Sequence, residues 1–166
     1  ASTLTADGIE KFNVNASGTA SGGATRQVSL ASTTLKDVVI TGDAASGLLA
    51  NLGGATTTAA GSITGNDQAN FVGFTADAAD TIAVDLGAGD DTLVIGSISA
   101  THTLAGGEGT DTFSSTANVT TTTGANISGF EAVSVGANSI ALPTAGNTIA
   151  AVTFTGAGGT VAGVAA

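Results

Sequence analysis

Between residues 63 and 113 the chain alternates polar turns with short segments in which every second residue is apolar. Asn70-Phe71, Asp80-Thr81-Ile82, Asp91-Thr92-Leu93, His102-Thr103-Leu104 and Asp111-Thr112-Phe113 open the segments, at steps of 10, 11, 11 and 9 residues. Such alternation marks a strand with one face in a core. Repeated in phase, it predicts an all-β solenoid in which two strands and two turns make one coil. Alternating segments continue outside the block: Phe12-Asn13-Val14, Val28-Ser29-Leu30 and Val38-Val39-Ile40 before it, Ile140-Ala141-Leu142 and Val152-Thr153-Phe154 after it. Small-residue turns at 17–23 and 41–44 separate the early ones, and Pro143 marks a strand end. Helical periodicity is not sustained, although Leu48, Leu49 and Leu52 suit one or two helical turns within 44–52.

Composition supports a thin core. Ala (32), Thr (28) and Gly (25) supply just over half of the 166 residues, and six Phe are the only aromatics. Small apolar side chains stacked coil on coil need only neighbour contacts, so a solenoid is stable where a globule would lack bulk. Cysteine is absent, which excludes a disulfide scaffold and a zinc–thiolate site. Without an initiator Met, a basic and apolar leader or a bilayer-length apolar run, the chain reads as a segment of a longer protein.

Charge narrows the partners. The net charge is −10; Lys11, Arg26 and Lys36 are the only basic residues, and eleven carboxylates follow from Asp37 onward. Such a surface repels nucleic acid and anionic lipid, so neither nucleic-acid binding nor membrane insertion is expected. Eight carboxylates crowd between Asp67 and Asp111 and repel one another. A divalent cation would relieve that repulsion and couple binding to folding.

Two turns in this block are rich in glycine as well as acid: Leu86-Gly87-Ala88-Gly89-Asp90-Asp91-Thr92-Leu93 and Gly106-Gly107-Glu108-Gly109-Thr110-Asp111-Thr112-Phe113. Both resemble the Gly-Gly-x-Gly-x-Asp-x-apolar-x repeat of the RTX family of calcium-binding β-solenoids. The resemblance implies a parallel β-helix or β-roll with Ca2+ held between stacked turns. Calcium takes six to eight hard oxygens, more than one turn supplies. Turns 86–91 and 106–111 lie two repeats apart and are expected to stack on one edge, with Asp91 and Asp111 as carboxylate ligands and carbonyls around Gly87, Gly89, Gly107 and Gly109 completing the shell. Asp90 is an extra oxygen or a solvated neighbour. Turn 65–70 would form a second ion site with turn 86–91 through Asp67 and Asn70. On the opposite edge Asp77 and Asp80 are weaker candidates, because turn 96–102 has lost its carboxylates. By this reading residues 1–62 are irregular β-helix coils, 63–113 the RTX-like β-roll, and 114–166 further β-helix coils.

A second, internal resemblance pairs Gly129-Phe130-Glu131-Ala132-Val133-Ser134-Val135-Gly136-Ala137 with Gly8-Ile9-Glu10-Lys11-Phe12-Asn13-Val14-Asn15-Ala16, 121 residues earlier, and suggests a module boundary. The Gly-apolar-Glu sequence after an RTX-like block is similar to bacterial surface-layer proteins that carry RTX repeats, as is the Ala-, Thr- and Gly-rich composition. This implies a structural protein, secreted by the type I route, that self-associates into a calcium-dependent extracellular lattice. Anchoring to cell-surface polysaccharide would pass through another region. Alternatives are a segment of a large RTX adhesin and an accessory RTX domain of a secreted enzyme.

Catalytic groups are sparse. His102 is the only histidine, stands where neighbouring phrases have Asp, and reads as a degenerate turn residue. Parallel β-helix polysaccharide lyases use a basic proton abstractor, and no Lys or Arg follows position 36. The Thr runs at 56–58 and 120–123 lack the coil-to-coil ladder of an ice-binding face. The chain is not expected to be an enzyme.

Overall fold

The computed structural model describes residues 2–5, 8–17, 26–31, 36–51, 60–75, 80–96, 98–120, 126–142 and 148–163. The first thirteen strands go alternately to two sheets. One has eight strands: β1 (Ser2–Thr5), β3 (Arg26–Ala31), β5 (Ser46–Asn51), β7 (Asn70–Thr75), β9 (Thr92–Ile95), β11 (Thr112–Ser115), β13 (Ala132–Val135) and β15 (Ala151–Phe154). The other has six: β2 (Lys11–Asn15), β4 (Asp37–Thr41), β6 (Ala60–Thr64), β8 (Thr81–Asp85), β10 (Thr103–Ala105) and β12 (Ile127–Ser128). From β1 to β14 every strand but β12 pairs in parallel with the strand two places on, so the chain is an all-β solenoid.

Alternation decides which side chains enter the core. Val72, Leu93, Phe113 and Val133 stack in register on one sheet, and Val38, Ile63, Val84, Leu104 and Ile127 on the other. All of these are buried. Each buried Val, Leu, Ile or Phe contributes about 1.5–3 kcal/mol. Phe113 and Phe130 add an edge-on ring pair at 5.7 Å.

Past β11 the coil gains a third side. Val119 bridges to Ile140, and β14 (Ser139–Ala141) pairs with β16 (Thr160–Ala162) outside both sheets. Asn118 Oδ1 accepts the Ser139 N–H at 2.9 Å, which ties this corner to the coil below.

Three details depart from the sequence reading. Ser46–Asn51 forms strand β5 in a stretch that also suited one or two helical turns, because pairing with β3 and β7 on both sides satisfies the backbone there. The second concerns His102: β10 pairs Thr103 with Ala83 and Leu104 with Val84, two residues away from the match that the phrases suggested. A shift of two preserves the faces; His102 closes the turn at 99–102 by donating its N–H to the Ser99 carbonyl (3.1 Å) and is buried on the core side beside Phe74, with ring centroids 6.3 Å apart. Third, the Gly8 and Gly129 segments share a positive-φ glycine and a glutamate whose carbonyl accepts two N–H groups from the next coil. They nevertheless open strands in different sheets, β2 and β13.

Candidate metal centre

The turns that lead from the six-stranded to the eight-stranded sheet share one edge. Turn 86–91 follows β8 and enters β9; turn 106–111 follows β10 and enters β11. They stack directly, with a bridge between Ala88 and Glu108, Glu108 N–H donating to the Gly87 carbonyl (2.9 Å) and Gly89 N–H to the Glu108 carbonyl (2.9 Å). Contact this close requires glycine. Gly107 has φ +114°, and a methyl group there would overlap the Gly87 carbonyl oxygen.

A ladder of side chains runs along the edge. Asp91 Oδ1 accepts the Asn70 N–H at 2.6 Å, Asp111 Oδ1 accepts the Asp91 N–H at 2.8 Å, and Glu131 Oε2 accepts the Asp111 N–H at 2.9 Å. Each rung satisfies a backbone donor of the coil before it. Glu131 was not among the sequence candidates. Its signal was the spacing of 20 residues after Asp111, hidden because the acid is Glu and its turn, Gly129-Phe130, lacks the second glycine.

Every such rung uses one carboxylate oxygen and leaves the other. Asp91 and Asp111 are 1% and 0% exposed, and the Oδ2 of each is buried without a hydrogen-bond partner. Burial raises the Asp91 carboxyl from 3.8 to about 7, against the lowering effect of the Asn70 N–H; the charges of Asp111 and Asp90 push it further up. Asp111 is raised too, first by burial, with the Asp91 N–H opposing and Glu131 and Asp90 adding repulsion. A buried carboxylate oxygen with no donor calls for a proton or a cation.

The donor set suits calcium. Carboxylate and carbonyl oxygens are hard ligands, and soft thiolates are absent from the sequence. Among the described residues no three acidic or imidazole side chains converge, so an ion beside Asp91 and Asp111 would draw most of its oxygens from the glycine backbone.

The remaining candidates differ in placement. Asp90 is exposed, and its Oδ1 accepts the Thr110 N–H of the next turn at 2.9 Å. Asp67 is exposed. Asn70 is buried and turns its amide nitrogen, not its oxygen, toward the surrounding carbonyls. Asp80 is buried on the opposite edge, and Asp77 lies outside the described residues. No family model matches the chain, and searches of curated proteins and of solved structures return no similar protein.

Proposed function

We propose that the chain is a calcium-stabilised structural segment of a secreted bacterial surface-layer protein of the RTX-repeat kind, acting by self-association in an extracellular lattice. The observation that carries the calcium part is the pair of buried, unpartnered Oδ2 atoms of Asp91 and Asp111, one coil apart between glycine turns. Asp91 and Asp111 would hold the ion together with carbonyls of Gly87, Gly89, Gly107 and Gly109, and Asp90 stands at the rim. Bound calcium would supply positive charge and cross-link successive coils. The residues do the rest: the carboxylates keep their Oδ1 atoms on the backbone ladder, and the glycines let the turns approach.

The lattice role rests on composition, on the Gly-apolar-Glu segment after the acidic turns and on the resemblance those features carry. The role is structural and not catalytic, and the partner is another copy of the protein. A chain that calcium orders suits type I secretion, because it leaves the cell in a looser state and tightens outside. The test compares the chelated and the calcium-loaded chain by circular dichroism and by electron microscopy. β signal gained with calcium, together with ordered two-dimensional sheets, is the expected result. An unchanged spectrum overturns the metal reading, and a calcium-responsive monomer overturns the lattice in favour of an adhesin segment.

A further inference from the structure

One coil before Asp91 the same edge is built differently. Asn70 is 2% exposed, and its Nδ2 sits among four oxygens: Gln68 O at 2.6 Å, Asn66 O and Asp91 Oδ1 each at 3.3 Å, and Leu86 O at 3.4 Å. Two of them come from its own turn and two from the next coil. An amide nitrogen carries two hydrogens, so it cannot donate a linear bond to each of four acceptors. Its place is that of a positive centre held between two turns by oxygens, which is how calcium is held.

The coil register makes the comparison direct. Phe71 pairs with Thr92, so Asp91 stands one coil on from Asn70. The carbonyls four and two residues back, Asn66 and Gln68 for Asn70, correspond to Gly87 and Gly89 for Asp91. Where Asn70 has an NH2 group, Asp91 has its unpartnered Oδ2. A further amide works one coil earlier: Asn66 Nδ2 donates to the carbonyls of Gly42 (3.1 Å) and Ala44 (3.2 Å).

We propose that Asn70 is a built-in amide plug, its Nδ2 filling between turns 65–70 and 86–91 the oxygen cage that a metal ion fills one coil further on, so that metal dependence of this edge begins at Asp91. The second half of that statement rests on the calcium reading above; the first does not. The edge would then have two regimes, an amide-sealed part through Asn70 and a cation-requiring part beyond it.

Calcium bound per chain, measured by atomic emission after equilibrium dialysis in millimolar calcium, separates the two ideas. Asn70→Asp is expected to bind one ion more than the unmodified chain. Equal counts, zero included, overturn the plug. An unmodified chain that binds none beside an Asn70→Asp chain that binds one supports the plug and overturns the calcium reading at Asp91 and Asp111. Should Asn70→Asp fail to fold, the unmodified chain decides the matter in chelator by NMR. The Asn70 side-chain NH2 is expected to exchange with solvent on the order of 100-fold more slowly than that of exposed Asn118. Equal rates overturn the proposal.

Discussion

Past Asn70, as far as Glu131, the two edges of the solenoid join their coils with side chains of opposite polarity. On the acidic edge the side chains accept: Asp91, Asp111 and Glu131 each take a backbone N–H of the preceding coil, at separations of 21, 20 and 20 residues. On the other edge they donate: Thr101 Oγ1 to the Asp80 carbonyl (2.6 Å) and Asn126 Nδ2 to the Ala100 carbonyl (2.7 Å), at separations of 21 and 26. A hydroxyl or amide donor satisfies a carbonyl and brings no net charge. A carboxylate satisfies an N–H but brings a buried charge and a second oxygen that wants a partner. The edge joined by donors spans separations of 21 and 26 residues, while the acidic edge past Asn70 keeps to 21, 20 and 20 and leaves a need for a cation or a proton.

The largest expected effect comes from removing that need. Asp91→Ala with Asp111→Ala strips the acceptors from the buried Asn70 and Asp91 N–H groups, at about 1–3 kcal/mol each, and is expected to abolish calcium-induced β structure. Asp91→Asn with Asp111→Asn keeps an oxygen for each N–H and substitutes an amide for Oδ2. That pair is expected to lose the calcium response and yet to unfold at higher urea than the unmodified chain in chelator. A calcium response retained by the Asn pair, read by circular dichroism, would erase the distinction between the edges.

Next in size is the glycine spacing. Gly107→Ala combines positive-φ strain with overlap on the Gly87 carbonyl and is expected to cost about 2–3 kcal/mol or more. Gly136, at the corner after β13 on the opposite edge, has negative φ and open space, so Gly136→Ala is expected to stay within about 0.5 kcal/mol. Urea midpoints of the two variants check the contrast; equal losses would mean that close approach is not peculiar to the acidic edge.

The smallest effect is the pH response in chelator, where the edges differ in sign. Asp91 is raised to about 7, so the folded state binds its proton more tightly than the unfolded state, and this group's contribution to stability falls as pH rises from about 4 to about 7. His102 is lowered below its ordinary 6.5 by burial, with the Asp80 carboxylate opposing, so its contribution falls as pH drops below 6.5. His102→Leu keeps an apolar group beside Phe74 and removes only the second arm, apart from about 1 kcal/mol for the acceptor that its Nδ1 gives the Ser99 N–H (3.3 Å). Thermal melts of both chains between pH 4 and pH 8 resolve the arms. An unmodified chain whose stability rises steadily across that range would contradict the Asp91 assignment.

Much of this was legible along the chain because it is local. Alternation of apolar residues marks strands whatever they pair with, and Gly-x-Gly-x-Asp turns recurring at 20 residues foretell an edge of stacked acidic corners. Thus strands such as β8, β9 and β11 and the stacking of turns 86–91 and 106–111 follow from residue order, while the burial of Asp91 and Asp111 does not. Leu48 and Leu49 misled, since two adjacent leucines satisfy a helix and a doubly paired strand equally well; β5 is settled by β3 and β7 on its flanks.

Spatial neighbours some 20 residues away decided the rest. Which way the Asn70 amide turns depends on carbonyls of its own turn and on Leu86 and Asp91 of the next coil. Glu131 joined the ladder because its longer side chain still reaches the Asp111 N–H, and β10 paired two residues off its apparent phase, with His102 still facing inward. Residue order determined a coil with acid and glycine at one corner, since period and turn chemistry act within a few bonds. Tertiary structure alone decided which of those polar atoms are satisfied and which are left facing a want of positive charge, since that depends on what the adjoining coil presents.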